Sequence, residues 1–336
     1  MYAPFVSVII PTYNSCRSLT ACLASIRMQR YPRERVEIIL VDAGSHDGTL
    51  EIASSFKVDK ILQNPLKTGE AGKAVGIDAA SGEIVALIDS DNILDSEDWL
   101  EKMAIPFQDD EIFCSESYAL TYRLSDSIID RYCALIGMND PIHLFLGNYD
   151  RFNTLTGKWT GLPLEMHDRE DYYEVLLTEN CIPTMGANGC LIRKKAIQEV
   201  DYRPYYFDID IIHQLVHKGR RKAAFVKKGV VHLYCPNLKT FVRKQKRRIS
   251  DFLYYKQLGR RTYPHQQYFW GYLKFIVSTL LLFPLLAQAL LGYSRKRDLA
   301  WFIHPVVCWV TLMTYGLATI RSLFLAQELD RSNWSQ

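Results

Sequence analysis

The chain has 336 residues, of which 48% are hydrophobic, so there is ample material for a core and length alone suggests two domains. The net charge of +3 carries little by itself, but from Lys218 to Arg261 basic residues crowd together with Asp251 as the only acid, which predicts an anionic surface against that stretch. Eight scattered cysteines, with no Cys-x-x-Cys pair and no His/Cys cluster at zinc-ligand spacing, argue against a disulfide scaffold or a zinc ribbon. They read as reduced thiols and predict a soluble part facing the cytosol. The N-terminus lacks a basic leader and reaches Pro11 too soon for a signal peptide, so it reads as a first strand.

Strand-like runs fall at Val6–Ile10, Val36–Val41, Lys60–Leu62 and Ile84–Ile88, and between them Leu19–Met28, Thr49–Phe56 and Ala71–Ala80 have helical periodicity. Strands separated by helices of this length imply right-handed crossovers and a mostly parallel α/β sheet of the nucleotide-binding kind. Ligands bind such sheets at the carboxyl ends of the strands. Those ends carry Pro11-Thr12-Tyr13-Asn14, Asp42-Ala43-Gly44-Ser45, and Asp89-Ser90-Asp91. Asp47-Gly48-Thr49 reads as a turn and helix cap that needs no ligand. Asp42 sits within a strand end, where its carboxylate can accept hydrogen bonds from a base or ribose.

Asp89 and Asp91 point the same way off an extended chain, so both can reach one hard cation, and Mg²⁺ typically shares such sites with substrate phosphates. An Asp/Ser turn ending a strand would look the same in isolation. Taken together, Val-Ser-Val-Ile-Ile-Pro-Thr-Tyr-Asn, Val-Asp-Ala-Gly-Ser-His-Asp-Gly-Thr and Ala-Ser-Gly-Glu-Ile-Val-Ala-Leu-Ile-Asp-Ser-Asp resemble family 2 of the inverting glycosyltransferases, which have the GT-A fold. The resemblance implies a nucleotide-diphospho-sugar donor, with Pro11, Thr12, Tyr13, Asn14, Asp42, Asp89 and Ser90 at the donor. It also implies a divalent cation, Mg²⁺ or Mn²⁺, on Asp89 and Asp91. Ala43 stands where many members carry a second Asp. Lys73 falls where the family often places a basic residue near the donor, although a solvated helix residue accounts for it equally well.

Farther along, Pro183-Thr-Met-Gly186-Ala-Asn188-Gly189-Cys-Leu-Ile-Arg resembles the family's glycine-bearing loop on the acceptor side; a simple turn before a strand is the alternative. Tyr206-Phe-Asp208-Ile-Asp210 occupies the place of the family's Glu-Asp motif, with Phe207 where Glu is common. Direct displacement requires a carboxylate near the acceptor hydroxyl, so Asp208 is the expected base and Asp210 the reserve. Either could instead be an acidic residue favoured at a helix N-terminus. Val230-Val231-His232 ends a further strand, and His232 is expected to touch the metal or diphosphate, a structural histidine being the alternative.

In the last third, Phe269–Leu291 and Leu299–Ile320 are each near the roughly 20 apolar residues needed to cross a bilayer. Pro284 is expected to kink the first. The preceding segment places Phe241, Ile249, Phe252 and Leu253 beneath Arg243, Lys244, Lys246, Arg247 and Arg248, the pattern of an interfacial helix on anionic lipid, which assigns Arg243, Lys244, Arg247 and Arg248 to the lipid or acceptor. The connector Tyr293-Ser-Arg-Lys-Arg-Asp298 carries three cations, in conflict with an external position between two spans. A kinked hairpin returning to the same leaflet would remove the conflict, but the larger basic block before the hairpin is expected to dominate orientation, which favours spanning.

The expected domains are a nucleotide-sugar half (1–120), an acceptor half of the same GT-A domain (121–235), a basic interfacial segment (236–268), two transmembrane or re-entrant helices (269–320) and a tail (321–336). Residues 126–180 are aromatic and irregular and suit a lid or acceptor groove. The chain thus reads as a membrane-attached inverting glycosyltransferase with its catalytic domain in the cytoplasm. It would move a sugar to a lipid-linked acceptor, a polyprenyl phosphate being one of that kind. A glycan-elongating enzyme and an inactive glycan-binding scaffold are the alternatives. Lipid is a simpler anion for the basic block than nucleic acid.

Overall fold

The computed structural model describes residues 2–264 and 268–322. The chain forms two compact units. One consists of Met1–Tyr118 and Pro163–His232; the other of Ala119–Leu162 together with the chain from Leu233 onward. The segment read as an acceptor half divides between them, residues 119–162 going to the second unit and 163–232 to the first. Residues 119–162 join the C-terminal unit because the apolar face of their helix, with Ile129, Tyr132 and Ile136, is buried in a cluster with Tyr234, Phe241, Trp301 and Val307.

In the first unit the order is β1 (Val6–Thr12), α1 (Cys16–Arg27), β2 (Val36–Asp42), α2 (Thr49–Ser55), β3 (Lys60–Gln63), α3 (Gly69–Ala79), β4 (Ile84–Leu87), β5 (Asn92–Leu94), α4 (Trp99–Ala104) and β6 (Ile112–Thr121). Every strand and helix expected in the first ninety residues is present. β3, β2, β1 and β4 are neighbours in that order and parallel. After the excursion through the other unit come β7 (Met166–Arg169), β8 (Tyr172–Leu176), β9 (Cys190–Arg193), α7 (Lys194–Ile197), α8 (Asp208–His217) and β10 (Lys222–His232). These extend the sheet as β9-β6-β10-β8-β7, and β9 pairs antiparallel with both β4 and β6. The sheet is therefore mixed rather than mostly parallel, because the later strands are joined by long excursions rather than βαβ crossovers.

β1, β2 and β4 are almost wholly buried, with Ile9, Ile39 and Leu87 at 0% exposure, as strands covered on both faces require. α3 lies unusually close to β1. A Cβ on Gly76 would stand 2.3 Å from Cγ2 of Ile9, and one on Gly72 would stand 3.0 Å from Cβ of Pro11. The two glycines, four apart, form a flat stripe that lets the helix settle on the strand. Thr68 caps it by accepting from the Ala71 N–H.

The second unit contains α5 (Ile128–Ile136), α6 (Ile142–Leu146), α9 (Leu238–Gln257), α10 (Phe269–Leu281), α11 (Phe283–Arg295) and α12 (His304–Ser322). The stretch Leu299–Ser322 is long and apolar enough to cross a membrane. The first expected span is instead two helices bent by 94°, broken at Leu282 just before Pro284, where the kink was expected. α9 differs from its expected role: Phe241, Gln245, Ile249 and Tyr255 form its buried face, and Phe241 meets Tyr234 edge-on inside the unit. Protein thus covers Phe241 and Ile249 of the expected stripe, while Phe252 and Leu253 are half-buried. Lys244 lies 4.5 Å from the centre of the Tyr234 ring and Arg248 is 3.5 Å from Asp140, so these two cations serve the unit's interior. Arg243, Lys246 and Arg247 are exposed. The expected tail lies outside the described residues from 323 onward.

Substituting Gly76→Ala should cost on the order of 1–3 kcal/mol, since Ile9 is fully buried and has nowhere to retreat. Urea denaturation of the purified protein checks this, with Ala74→Gly in the same helix expected to lose only about 1 kcal/mol.

Candidate active site

β1 and β2 run in register so that Thr12 lies beside Asp42 at the carboxyl edge of the sheet. Thr12 Oγ1 donates to Asp42 Oδ1 at 3.0 Å. The other donors to this carboxylate are the N–H groups of Gly44 and Ser45, at 2.9 and 2.8 Å, and the Ser45 hydroxyl at 2.5 Å. Asp42 thus stands where expected, but its oxygens hold its own loop in shape. Gly44 makes that turn with φ +92°.

The loop after β1 is laced to the same wall. The Asn14 N–H donates to Ser45 Oγ at 2.9 Å, and Asn14 Oδ1 accepts from the His46 N–H at 3.1 Å. Asp47 accepts from the N–H groups of Cys16 and Thr49, and its pKa is about 2: burial works against its charge, but these hydrogen bonds outweigh it. Its role as a turn and cap matches the expectation.

Beyond β4 the chain closes a turn in which the Asp89 N–H donates to Asn92 Oδ1 at 3.0 Å and the Asn92 N–H returns to the Asp89 carbonyl at 2.9 Å. Ser90 Oγ donates to Ser15 Oγ at 2.9 Å, tying this turn to the loop after β1. Asn92 also donates to Asn188 Oδ1 at 3.2 Å. Asn92 thus joins the acidic turn to the glycine loop. The sequence reading passed over it, although an Asn one residue beyond Asp-x-Asp is a recognisable turn closer.

His232, at the end of β10, pairs in register with Asn92 and brings Nε2 to 3.3 Å from Asp91 Oδ1. The two side chains converge as a shared cation would require, and carboxylate oxygens with one imidazole suit Mn²⁺ or Mg²⁺. Among the described residues no three His, Cys, Asp or Glu side chains are grouped to hold a metal alone. Asp91 and His232 can thus contribute ligands to a cation that donor phosphates also coordinate.

Lys73 Nζ, on α3, lies 2.8 Å from Asp208 Oδ1, at the start of α8. The solvated-helix account of Lys73 fails: its side chain is 6% exposed. Burial opposes its charge, but Asp208 and then Asp89 more than offset this, so its pKa stands above the ordinary lysine value. Asp208 is pushed up to about 6. Burial is the largest cause, Lys73 opposes it, and the negative charges of Asp89 and Glu70 add to it. Asp210 is 1% exposed within the same helix, so Asp208 is the carboxylate set against Lys73.

The glycine loop backs this pair. Gly186, at φ +108°, would place a Cβ 3.2 Å from the Asp208 Cβ, and Gly189, at φ +89°, would place one 3.1 Å from the Trp99 ring. Buried Glu116 accepts from the Gly186 N–H at 3.0 Å. Its position in an apolar strand gave no sequence signal beyond a charge in a buried run. Gly186 and Gly189 thus permit close packing of protein on protein. The structure brings Thr12, Asn14, Asp42, Lys73, Ser90, Asp91, Gly186, Asn188, Asp208 and His232 into this one unit, whereas Arg243, Lys244, Arg247 and Arg248 belong to the other.

A mixed sheet with an acidic turn at the end of its parallel half defines the GT-A class of fold. Residues 7–120 match the model of glycosyl transferase family 2. The fold is shared with the mannosyltransferase PcManGT from Pyrobaculum calidifontis, solved with GDP-Man and Mn²⁺, at a TM-score of 0.57 and 15% identity over 96% of this chain and 88% of that one. Glycosyltransferase AglE of Haloferax volcanii is 38% identical over 104 residues, which are 30% of this chain and 34% of that protein. Glycosyltransferase GlyG of Streptococcus pneumoniae is 38% identical over 94 residues, 26% of this chain and 31% of that protein. The match spans about a third of the length of these two relatives.

Without metal or donor, Asp208 should titrate near pH 6, protonating as pH falls through that value. Lys73→Met removes the favourable charge and should move the titration to higher pH. Carboxyl carbon shifts followed by NMR measure both; a Lys73→Met titration at or below the wild-type value would contradict the pairing.

Proposed function

We propose that the protein is a metal-dependent inverting glycosyltransferase that takes a sugar from a nucleotide diphosphate and passes it to a lipid-linked acceptor. The observation that carries this reading is the Lys73–Asp208 pair lying in the same unit as the Asp89-Ser90-Asp91 turn at the carboxyl ends of the parallel strands. In this reading Thr12, Tyr13, Asn14 and Asp42 wall the nucleotide side, Pro11 packs α3 against that wall, and Ser90 steadies the acidic turn. Asp89, Asp91 and His232 would hold a divalent cation on the diphosphate, which supplies charge neutralisation to the departing group.

The acceptor oxygen attacks the anomeric carbon as the bond to the diphosphate oxygen breaks, and the acceptor proton passes to Asp208 Oδ. A carboxylate with a pKa of about 6 is ionised at neutral pH and takes a proton more readily than an ordinary aspartate. Below about pH 6 it is protonated and that capacity is lost.

Support for a lipid-linked acceptor comes from the C-terminal unit. Phe269, Trp270, Leu281, Phe283, Leu290 and Leu317 are all exposed, more apolar surface than a soluble protein normally presents. This favours membrane attachment, with the catalytic unit on the cytoplasmic side. Transfer to a glycan hydroxyl is the second reading, favoured by the raised pKa of Asp208, since a phosphate acceptor is already ionised and needs no base. An inactive scaffold would have no use for a buried Lys73 held between carboxylates.

Asp91→Asn should reduce transfer by on the order of a hundredfold or more and weaken metal-dependent donor binding, with an unchanged circular dichroism spectrum. Unaltered turnover, or full activity in chelator, would remove the cation from the mechanism. Asp208→Asn should leave donor affinity nearly intact while lowering kcat on the order of a hundredfold with a hydroxyl acceptor, and by less with a phosphate acceptor. Radiolabelled transfer from a panel of nucleotide-sugars to membrane extract supplies the assay.

A further inference from the structure

The membrane-attached reading leaves open how the apolar helices meet the bilayer. We infer that the whole region from Phe269 to Ser322 occupies a single leaflet, with the bent pair α10–α11 as a wedge and α12 lying along the interface, so that no part of the chain up to Ser322 reaches the far side.

The first ground is length. α10 and α11 have 13 residues each, about 20 Å of helix at 1.5 Å per residue, against a hydrocarbon core of about 30 Å. They are bent by 94° and meet at Leu282, whose φ is +62°. The apex is apolar and open: Leu280, Leu281 and Phe283 are all exposed, the last at 76%.

The second ground is anchorage. Both ends of the wedge are fixed to one stretch, residues 119–162. At the entry, Gly271 fits against Leu146, where a Cβ would lie 2.9 Å from its Cα, and Phe275 meets Phe145 edge-on at 5.2 Å. At the exit, Arg295 donates to the Thr154 carbonyl at 3.4 Å, Lys296 lies 4.3 Å from the centre of the Tyr122 ring, and Asp298 pairs with Arg131 at 3.1 Å. This stretch exposes Arg123 and Lys158, which belong in water or among headgroups, and the connector is tied to it.

α12 is pinned to the same stretch at two levels. His304 Nδ1 is 2.6 Å from the Tyr132 hydroxyl, and Tyr315 donates to Asp140 and, at 3.0 Å, to Gln245 Oε1. The two pins are eleven positions apart, about 16 Å along the helix, so a perpendicular crossing would carry Asp140 and the part of residues 119–162 packed around it deep into the bilayer. Val306, Met313, Leu317 and Ile320 remain exposed for lipid. The exposed Arg243, Lys246 and Arg247 of α9 suit anionic headgroups.

The test uses the full chain in cells, with single cysteines at Ser294 and Ser322 and an impermeant maleimide read by peptide mass. Both a cysteine-free and the native background are used; in the latter, six of the eight cysteines are buried. Reaction in detergent defines full labelling at each position. The expected result is membrane pelleting after carbonate extraction, with no labelling of intact cells at either position and full labelling after permeabilisation. Labelling of intact cells at Ser294→Cys or Ser322→Cys, with the protein still in the pellet, overturns the single-leaflet arrangement alone. A protein found wholly in the carbonate supernatant overturns membrane attachment itself.

Discussion

Carboxylates crowded at one sheet edge have to be held against their mutual repulsion, and much of the first unit is arranged to do this. Asp42 is held by backbone N–H groups and two hydroxyls, Asp91 faces His232, and Asp208 faces Lys73. The last pairing depends on helix packing, because Lys73 stands between Gly72 and Gly76 and reaches the site only if α3 lies flat on β1. Gly186 makes the matching concession on the other side, leaving room for the Asp208 backbone. Desolvation raises Asp208 toward neutrality even with a cation at 2.8 Å, so the ion pair restrains the carboxyl without fixing it in the ionised state.

The parallel half was legible in the sequence because its information is local. β-branched runs, helix periodicity and the turn residues after each strand all agree between Val6 and Asp91. The antiparallel half was not, since β9 comes to lie between β4 and β6 through pairings that no short window contains. The same distinction governs the site. Asp89 and Asp91 announce themselves, whereas Glu116 and Asn92 act by holding loops distant in sequence. Lys73 read equally well as surface or site, because its burial is decided by glycines whose packing partner lies on another strand.

In the C-terminal third, composition identified the apolar segments but not their course. The basic connector looked misplaced only on the assumption of two straight spans. Two of its three cations, Lys296 and Arg295, have partners in Tyr122 and Thr154, residues more than a hundred positions earlier in the chain. The α9 stripe shows the reverse error: amphipathic periodicity was read correctly, but Phe241 packs with Tyr234 and Ile249 is buried, since periodicity reports a buried face and not what buries it.

The interleaving of the two units has a consequence for biosynthesis. α5 leaves the ribosome with Ile129, Tyr132, Leu135 and Ile136 on one face, and the residues that cover them, from Tyr234 to Val307, emerge only later. In the interval the nascent chain must carry an uncovered apolar surface. The order of synthesis thus gives chaperones a defined interval in which to act, ending only when the last helices arrive.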